Sequence, residues 1–205
     1  MKDYVEVFGL PACGKTSYLS NNNIFNMNKK FLSHPSRFVR FVKKIFLYFN
    51  FLILYPSLFF KVNRIFKKIK FTKSILKIKM YVYLCNILYL VMKSKKYSTC
   101  TCYFDEGLLQ VLWSICYNSE YEDDFIDFYL IEFKDLFSKK VIFIDTDLEL
   151  NFNRLINRNS NGGSELEHDV KNGYSYFARA IKIRDDILKR CKDEFIDIEC
   201  IKEGF

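Results

Sequence analysis

The sequence predicts an α/β domain, a parallel sheet with helices on both faces, and three observations lead there. Residues 4–8, Tyr-Val-Glu-Val-Phe, form a short β-branched and aromatic run directly before a Gly/Pro turn at Gly9 and Pro11. Val141-Ile142-Phe143-Ile144 is a continuous apolar run, as expected of a strand buried on both faces of a parallel sheet. Between and beyond these runs lie long stretches of helical periodicity, and strands alternating with helices imply that architecture. With 205 residues, half of them hydrophobic, the chain is expected to bury one core, so residues 1–205 read as a single domain.

The elements follow in order. After the first strand, residues 15–21 read as a helix start. Residues 30–33, Lys-Phe-Leu-Ser, are expected to form a second short strand that His34-Pro35 ends. Residues 36–96 mix apolar and basic side chains at near-helical spacing and predict two or three helices broken near Pro56. Two apolar runs stand out there, 45–60 and 80–92. Neither reaches the roughly 18 to 20 apolar residues that span a bilayer, so buried helices are the expectation and an in-plane membrane helix the alternative.

Residues 99–104 read as a strand ending at Asp105-Glu106-Gly107, followed by a helix with Leu108, Leu109, Val111, Leu112, Ile115 and Cys116 on its apolar face. A helix is expected over 122–137, opening in the acidic run Glu122-Asp123-Asp124. After the 141–144 strand, Asp145, Thr146 and Asp147 can cap a helix running to about Asn157. Residues 159–164 read as a mobile Gly/Asn/Ser loop, and residues 169–192 as one long helix with Tyr174, Phe177, Ala178, Ile181, Leu188 and Cys191 inward. Ile196, Ile198 and Cys200 alternate with acids and mark a last strand exposed on one side.

The net charge of +8 is uneven. Between Phe8 and Phe104 there is no Asp or Glu, against 18 Lys and Arg, whereas the remainder is net acidic. Such a block either forms a solvated basic face or attracts phosphates, nucleic acid or an anionic membrane. No nucleic-acid motif accompanies it. The seven Cys show no metal-binding spacing, and Cys100 and Cys102 suit one face of a strand. The start of the chain does not read as a signal peptide, so the thiols are expected to be reduced and the protein cytoplasmic, with peripheral membrane contact as the alternative.

Gly9-Leu10-Pro11-Ala12-Cys13-Gly14-Lys15-Thr16 matches G-x-x-x-x-G-K-[ST], and it lies between a strand and a helix as a P-loop must. Glycines let the backbone curl so that its N–H groups point at phosphate oxygens, and the following helix adds its positive end. Lys15 would reach the β- and γ-phosphates and Thr16 would ligate magnesium. Tyr103-Phe104-Asp105-Glu106 is an apolar strand ending in acids. Asp105 would hold magnesium opposite the loop, and Asp105 or Glu106 could take a proton from an acceptor hydroxyl. Arg154 and Arg158 stand four apart on one helix face, where guanidiniums can close over a transferring phosphoryl group. Arg179 and Arg184 are weaker candidates.

These residues together resemble the nucleoside and nucleotide kinases among P-loop proteins, thymidylate kinase being the nearest pattern. The resemblance rests on GLPACGKT at 9–16, FDEG at 104–107 and FIDTDLELNFNRLINR at 143–158. It implies a three-layer sandwich with a five-stranded parallel sheet in the order 2-3-1-4-5, and a lid over about 154–168 bearing Arg154 and Arg158. The basic, apolar region 36–96 would then be the acceptor site. Members acting on thymidylate usually carry Asp-Arg where this chain has Asp105-Glu106, so the resemblance implies phosphoryl transfer from ATP with magnesium, but not thymidylate as acceptor. A small, anionic acceptor suits the basic block. A nucleotide-dependent switch or binding module is the alternative.

Overall fold

A computed structural model of the chain describes residues 4–32, 36–97, 101–158, 164–193 and 196–202. In chain order these residues form β1 (Tyr4–Phe8), α1 (Lys15–Asn21), α2 (Met27–Leu32), α3 (Arg37–Leu54), α4 (Pro56–Lys67), β2 (Lys70–Phe71) and α5 (Ser74–Tyr97). There follow β3 (Cys102–Phe104), α6 (Leu108–Tyr117), β4 (Ser119–Glu120), α7 (Phe125–Glu132), β5 (Lys140–Asp145), α8 (Leu148–Asn157), α9 (Glu165–Asp169), α10 (Tyr174–Asp193) and β6 (Asp197–Lys202). The main sheet has four strands, all parallel, in the order β3-β1-β5-β6. β2 and β4 make a separate antiparallel pair.

Strand alternation divides β1 between two cores. Val5 and Val7 face α1 and meet Leu19, with Ile142 and Ile144 of β5. Tyr4 and Phe8 face the other way, into a larger core with Phe104, Phe143 and residues of α5, α6 and α10. Glu6 lies between Tyr4 and Phe8 on that same side and has no exposed surface. The α/β class and the parallel sheet with helices therefore stand as expected from the sequence.

Several elements differ from expectation. Residues 30–32 are helical, not a strand; Ser33, His34 and Pro35 lie outside the described residues. Among the described residues the sheet is extended beyond β3 only by an isolated parallel bridge between Asn26 and Tyr103. Asn26 explains the switch, because its side-chain oxygen accepts the backbone N–H of Lys29 at 3.3 Å and so caps α2. Strand formation stops where that local cap begins.

Residues 122–137 shorten to α7 and a 3-10 turn at Lys134–Leu136. The expected helix over 169–192 starts only at Tyr174, since Gly173 at φ 149° breaks it from the turn before. Its buried side is Phe177, Ala180, Ile183, Ile187 and Cys191, whereas Tyr174 is exposed at the helix start and Ala178 faces solvent. Asp147 caps α8 by accepting the Leu150 N–H at 2.9 Å. Residues 98–100, and with them Cys100, lie outside the described residues, as do 159–163 of the Gly/Asn/Ser loop.

The region 36–96 holds three helices. Pro56 stands at the first position of α4, where its missing N–H costs nothing, and α3 and α4 meet at 111°. α5 is longer than its central apolar run suggested, and in length and composition alone it suffices to cross a membrane. Leu84, Ile87, Leu88 and Val91 have no exposed surface, so this stretch of α5 lies in the core, whereas Ile75 and Ile78 near its start are exposed.

Candidate functional site

Residues 9–14 turn tightly between β1 and α1. Gly9 at φ 157° and Gly14 at φ 94° take conformations that L side chains rarely adopt, and Ala12 at φ 65° joins them. A Cβ on Gly9 would meet Cys13 Sγ at 2.6 Å and the Ile144 carbonyl at 3.0 Å. Pro11 and Leu10 complete the curl, with Leu10 and Cys13 buried beneath it and the Cys13 N–H donating to the Leu10 carbonyl at 3.3 Å. Lys15 folds back over the turn, and its ammonium donates to the carbonyls of Gly9 at 2.7 Å and Leu10 at 2.9 Å.

Two neighbours brace the loop from outside. Thr146, just after β5, donates its hydroxyl to the Cys13 carbonyl at 2.8 Å. Asn151 of α8 donates to the Pro11 carbonyl at 3.2 Å. Both are buried.

Across the sheet, β3 delivers Asp105 to the mouth of the loop. Thr16 Oγ1 donates to Asp105 Oδ2 at 3.3 Å, joining residues 89 positions apart. The other oxygen, Asp105 Oδ1, is buried and has no hydrogen-bond partner. An orphaned carboxylate oxygen beside a threonine hydroxyl fits a hard cation with oxygen ligands, so the residues present suit magnesium. Among the described residues no group of three or more His, Cys, Asp or Glu is clustered to hold a metal unaided. Phosphate oxygens and water would have to complete the shell, as is usual for magnesium.

Glu106 turns toward the helical region. Tyr83 of α5 donates its hydroxyl to Glu106 Oε2 at 3.1 Å. Loss of solvation around its carboxyl, then the Asp105 charge, raises the Glu106 pKa; Tyr83, Lys15 and Lys44 pull it back down. Lys44 of α3 is therefore near enough to be felt at this carboxylate. Burial, with Glu106 beside it, drives the Tyr83 phenol well above its ordinary value.

The lid arginines are placed differently. Arg154 is half-buried on α8, nearly one turn beyond Asn151. Arg158 ends α8 and pairs with the buried Glu167 at 3.1 Å, so it points to α9 rather than to the loop. Arg179 donates to the carbonyls of Cys116 and Ser119 and secures the end of α6. Arg184 pairs with Asp185 and lies over the Phe143 ring. These last two serve the fold.

Glu6 went unnoticed in the sequence, although an acid in the middle of an apolar strand is itself a signal. Its Oε1 accepts the Gln110 N–H at 3.0 Å, and the N–H groups of Leu108 and Leu109 also face it. Glu6 thus caps α6 from another element, in place of Gly107, which has no side chain to do so. Burial is the largest influence on its pKa and lifts it from 4.5 to about 7, against those backbone donors and Lys15. The folded protein therefore keeps this proton up to about pH 7, while the unfolded chain releases it near 4.5.

Stability from this group is fully present below about pH 4.5 and is lost as pH rises to about 7, roughly 3 kcal/mol in all. Chemical denaturation of the wild type and Glu6→Gln from about pH 5 to 8 should show the wild type losing stability relative to the variant. Parallel profiles would rule this out.

The chain matches no family model, no curated protein and no solved structure.

Proposed function

We propose that the protein is a magnesium-dependent kinase that transfers the γ-phosphoryl group of ATP to a hydroxyl of a small anionic acceptor. The observation that carries this reading is the meeting of Thr16 and Asp105 at the mouth of the 9–16 turn. The backbone N–H groups of residues 9–16 and the Lys15 ammonium would hold the phosphates, and Thr16 with Asp105 would hold the metal. When bound, magnesium neutralises charge that builds on the phosphate oxygens.

Glu106 accepts the proton of the acceptor hydroxyl as that oxygen bonds to phosphorus and ADP leaves. Its raised pKa makes it a stronger base than a solvated carboxylate. Tyr83 fixes the carboxylate through Oε2. Lys44 supplies positive charge on the acceptor side. Arg154 lies along the helix that braces the loop, and Arg158 would reach the phosphoryl group by exchanging Glu167 for it as the lid closes.

The strand order is consistent with the same group of enzymes. β3, β1, β5 and β6 would stand as the third, first, fourth and fifth strands of a 2-3-1-4-5 sheet, with the second reduced to the Asn26 bridge.

The test is ADP formation by the purified protein with ATP and magnesium across a panel of hydroxylated and phosphorylated metabolites, with Lys15→Ala as control. One acceptor should raise turnover well above background, and Lys15→Ala should remove that gain by about 100-fold or more. ATP binding without acceleration by any acceptor would count for a nucleotide-dependent switch. Absence of nucleotide binding would end both readings.

A further inference from the structure

α3 is amphipathic in the reverse sense. Phe38, Phe41, Ile45, Phe46, Phe49 and Ile53 recur at three- and four-residue spacing, which places them on one face of a helix. That face points to solvent: Phe38 is 74% exposed and Ile53 77%. On the opposite side Leu47 and Phe51 are buried in the core, whereas Arg40 and Lys44 stay exposed. An exposed apolar face of this extent on an ordered helix marks an interaction surface.

The charges around it say what it meets. Elsewhere in the basic block, acids from the second half of the chain neutralise some of the cations: Arg64 pairs with Glu132, Lys68 with Asp124 and Lys79 with Glu165. Among the described residues Arg40 and Lys43 form no ion pair. α3 contains no acid at all. A second copy of this face would set cation against cation, which disfavours self-association.

Beside the ridge, an apolar groove of about 430 Å³ runs between α3 and α5, with Lys43 and Lys93 among its lining. Apolar surface flanked by ammonium groups matches acyl chains beneath anionic headgroups. The ridge carries no side-chain hydrogen-bonding group to fix the register of a protein partner, and a bilayer needs none.

We infer that α3 lies in the plane of an anionic phospholipid bilayer, with its phenylalanines below the headgroups and its cations among the phosphates. α3 packs against α5, the helix whose Tyr83 holds Glu106, so docking would keep the site beside the membrane surface.

The experiment is flotation of the full chain, without nucleotide, with vesicles of phosphatidylserine and phosphatidylcholine or of phosphatidylcholine alone, at low and high salt. Omitting nucleotide keeps the result independent of the kinase reading. The protein should float with the anionic vesicles and bind the neutral ones, or the anionic ones at high salt, about tenfold less. Phe41→Asp combined with Ile53→Asp should lower binding about tenfold or more at an unchanged melting temperature.

No flotation with anionic vesicles at low salt would overturn the inference, as would equal binding to neutral ones. A wild-type dimer in light scattering that the double variant dissolves would assign the face to a second copy instead. Should the variant not fold, the dependence of the wild type on lipid charge and salt still decides.

Discussion

Replacing Asp105 by Asn is expected to lower magnesium-dependent turnover about 10²- to 10³-fold while leaving the fold intact. Asn keeps the shape of the side chain and a partner for Thr16 Oγ1, which stands 3.3 Å from Asp105 Oδ2. It removes the negative charge and puts a donor where one of two anionic oxygens would face the cation. Raising magnesium should recover part of the loss, because the defect lies in metal affinity as well as in charge.

A second readout separates this from a general disturbance. The Asp105 charge is one of the influences that raise the Glu106 pKa, second only to desolvation. Without it, the acidic limb of the pH–rate profile should move to lower pH. Steady-state rates against magnesium and pH check both, and wild-type turnover with an unchanged magnesium requirement would falsify the assigned role.

Gly107→Ala is expected to destabilise the protein by about 2 to 4 kcal/mol, a large effect for one methyl group. Backbone freedom is not the reason, since Gly107 has an ordinary φ of −100°. The methyl would stand 2.3 Å from Glu6 Cδ and 2.5 Å from Glu6 Oε2. Glu6 is fully buried and held by the first N–H groups of α6, so it cannot swing aside without giving up its cap on that helix.

The same shift would carry Asp105 and Glu106 with it, because they immediately precede Gly107. Glu6→Ser in the Gly107→Ala background should recover part of the stability by freeing space, a non-additive pair diagnostic of direct contact. Denaturant midpoints of the two single variants and the double measure it. Additive losses would place the strain somewhere other than between these two residues.

The strands and the loop were legible in the sequence because each depends on local pattern. Val141 to Ile144 read as a buried strand and form one, and the turn expected after the first strand has positive φ at Gly9, Ala12 and Gly14. Asp147 read as a cap and caps. Where the reading failed, a short-range competitor decided. Asn26 makes one bridge to Tyr103 and at once caps a helix, and Gly173 interrupts a periodicity that otherwise runs on. The second strand and the start of the long helix were lost to single residues whose effect periodicity averages away.

The candidate site divides the same way. The residue types of the turn, of Asp105-Glu106 and of the α8 arginines could be named from spacing alone, since spacing along one element places side chains on one face. The partnerships could not. Thr16 with Asp105, Glu6 with the start of α6, Tyr83 with Glu106, and Arg158 with Glu167 join residues from separate elements. So does the outward turn of the apolar face of α3, which periodicity shows as a face but not as an exposed one.

By itself, then, the sequence determined the class of fold, the turn before α1 and the chemistry its residue types allow, because these follow from backbone sterics and periodicity within short windows. Only the tertiary structure decided which acids meet which donors, which carboxylates lose solvent and which apolar face stays uncovered, because burial and long-range contact are properties of how distant segments come together.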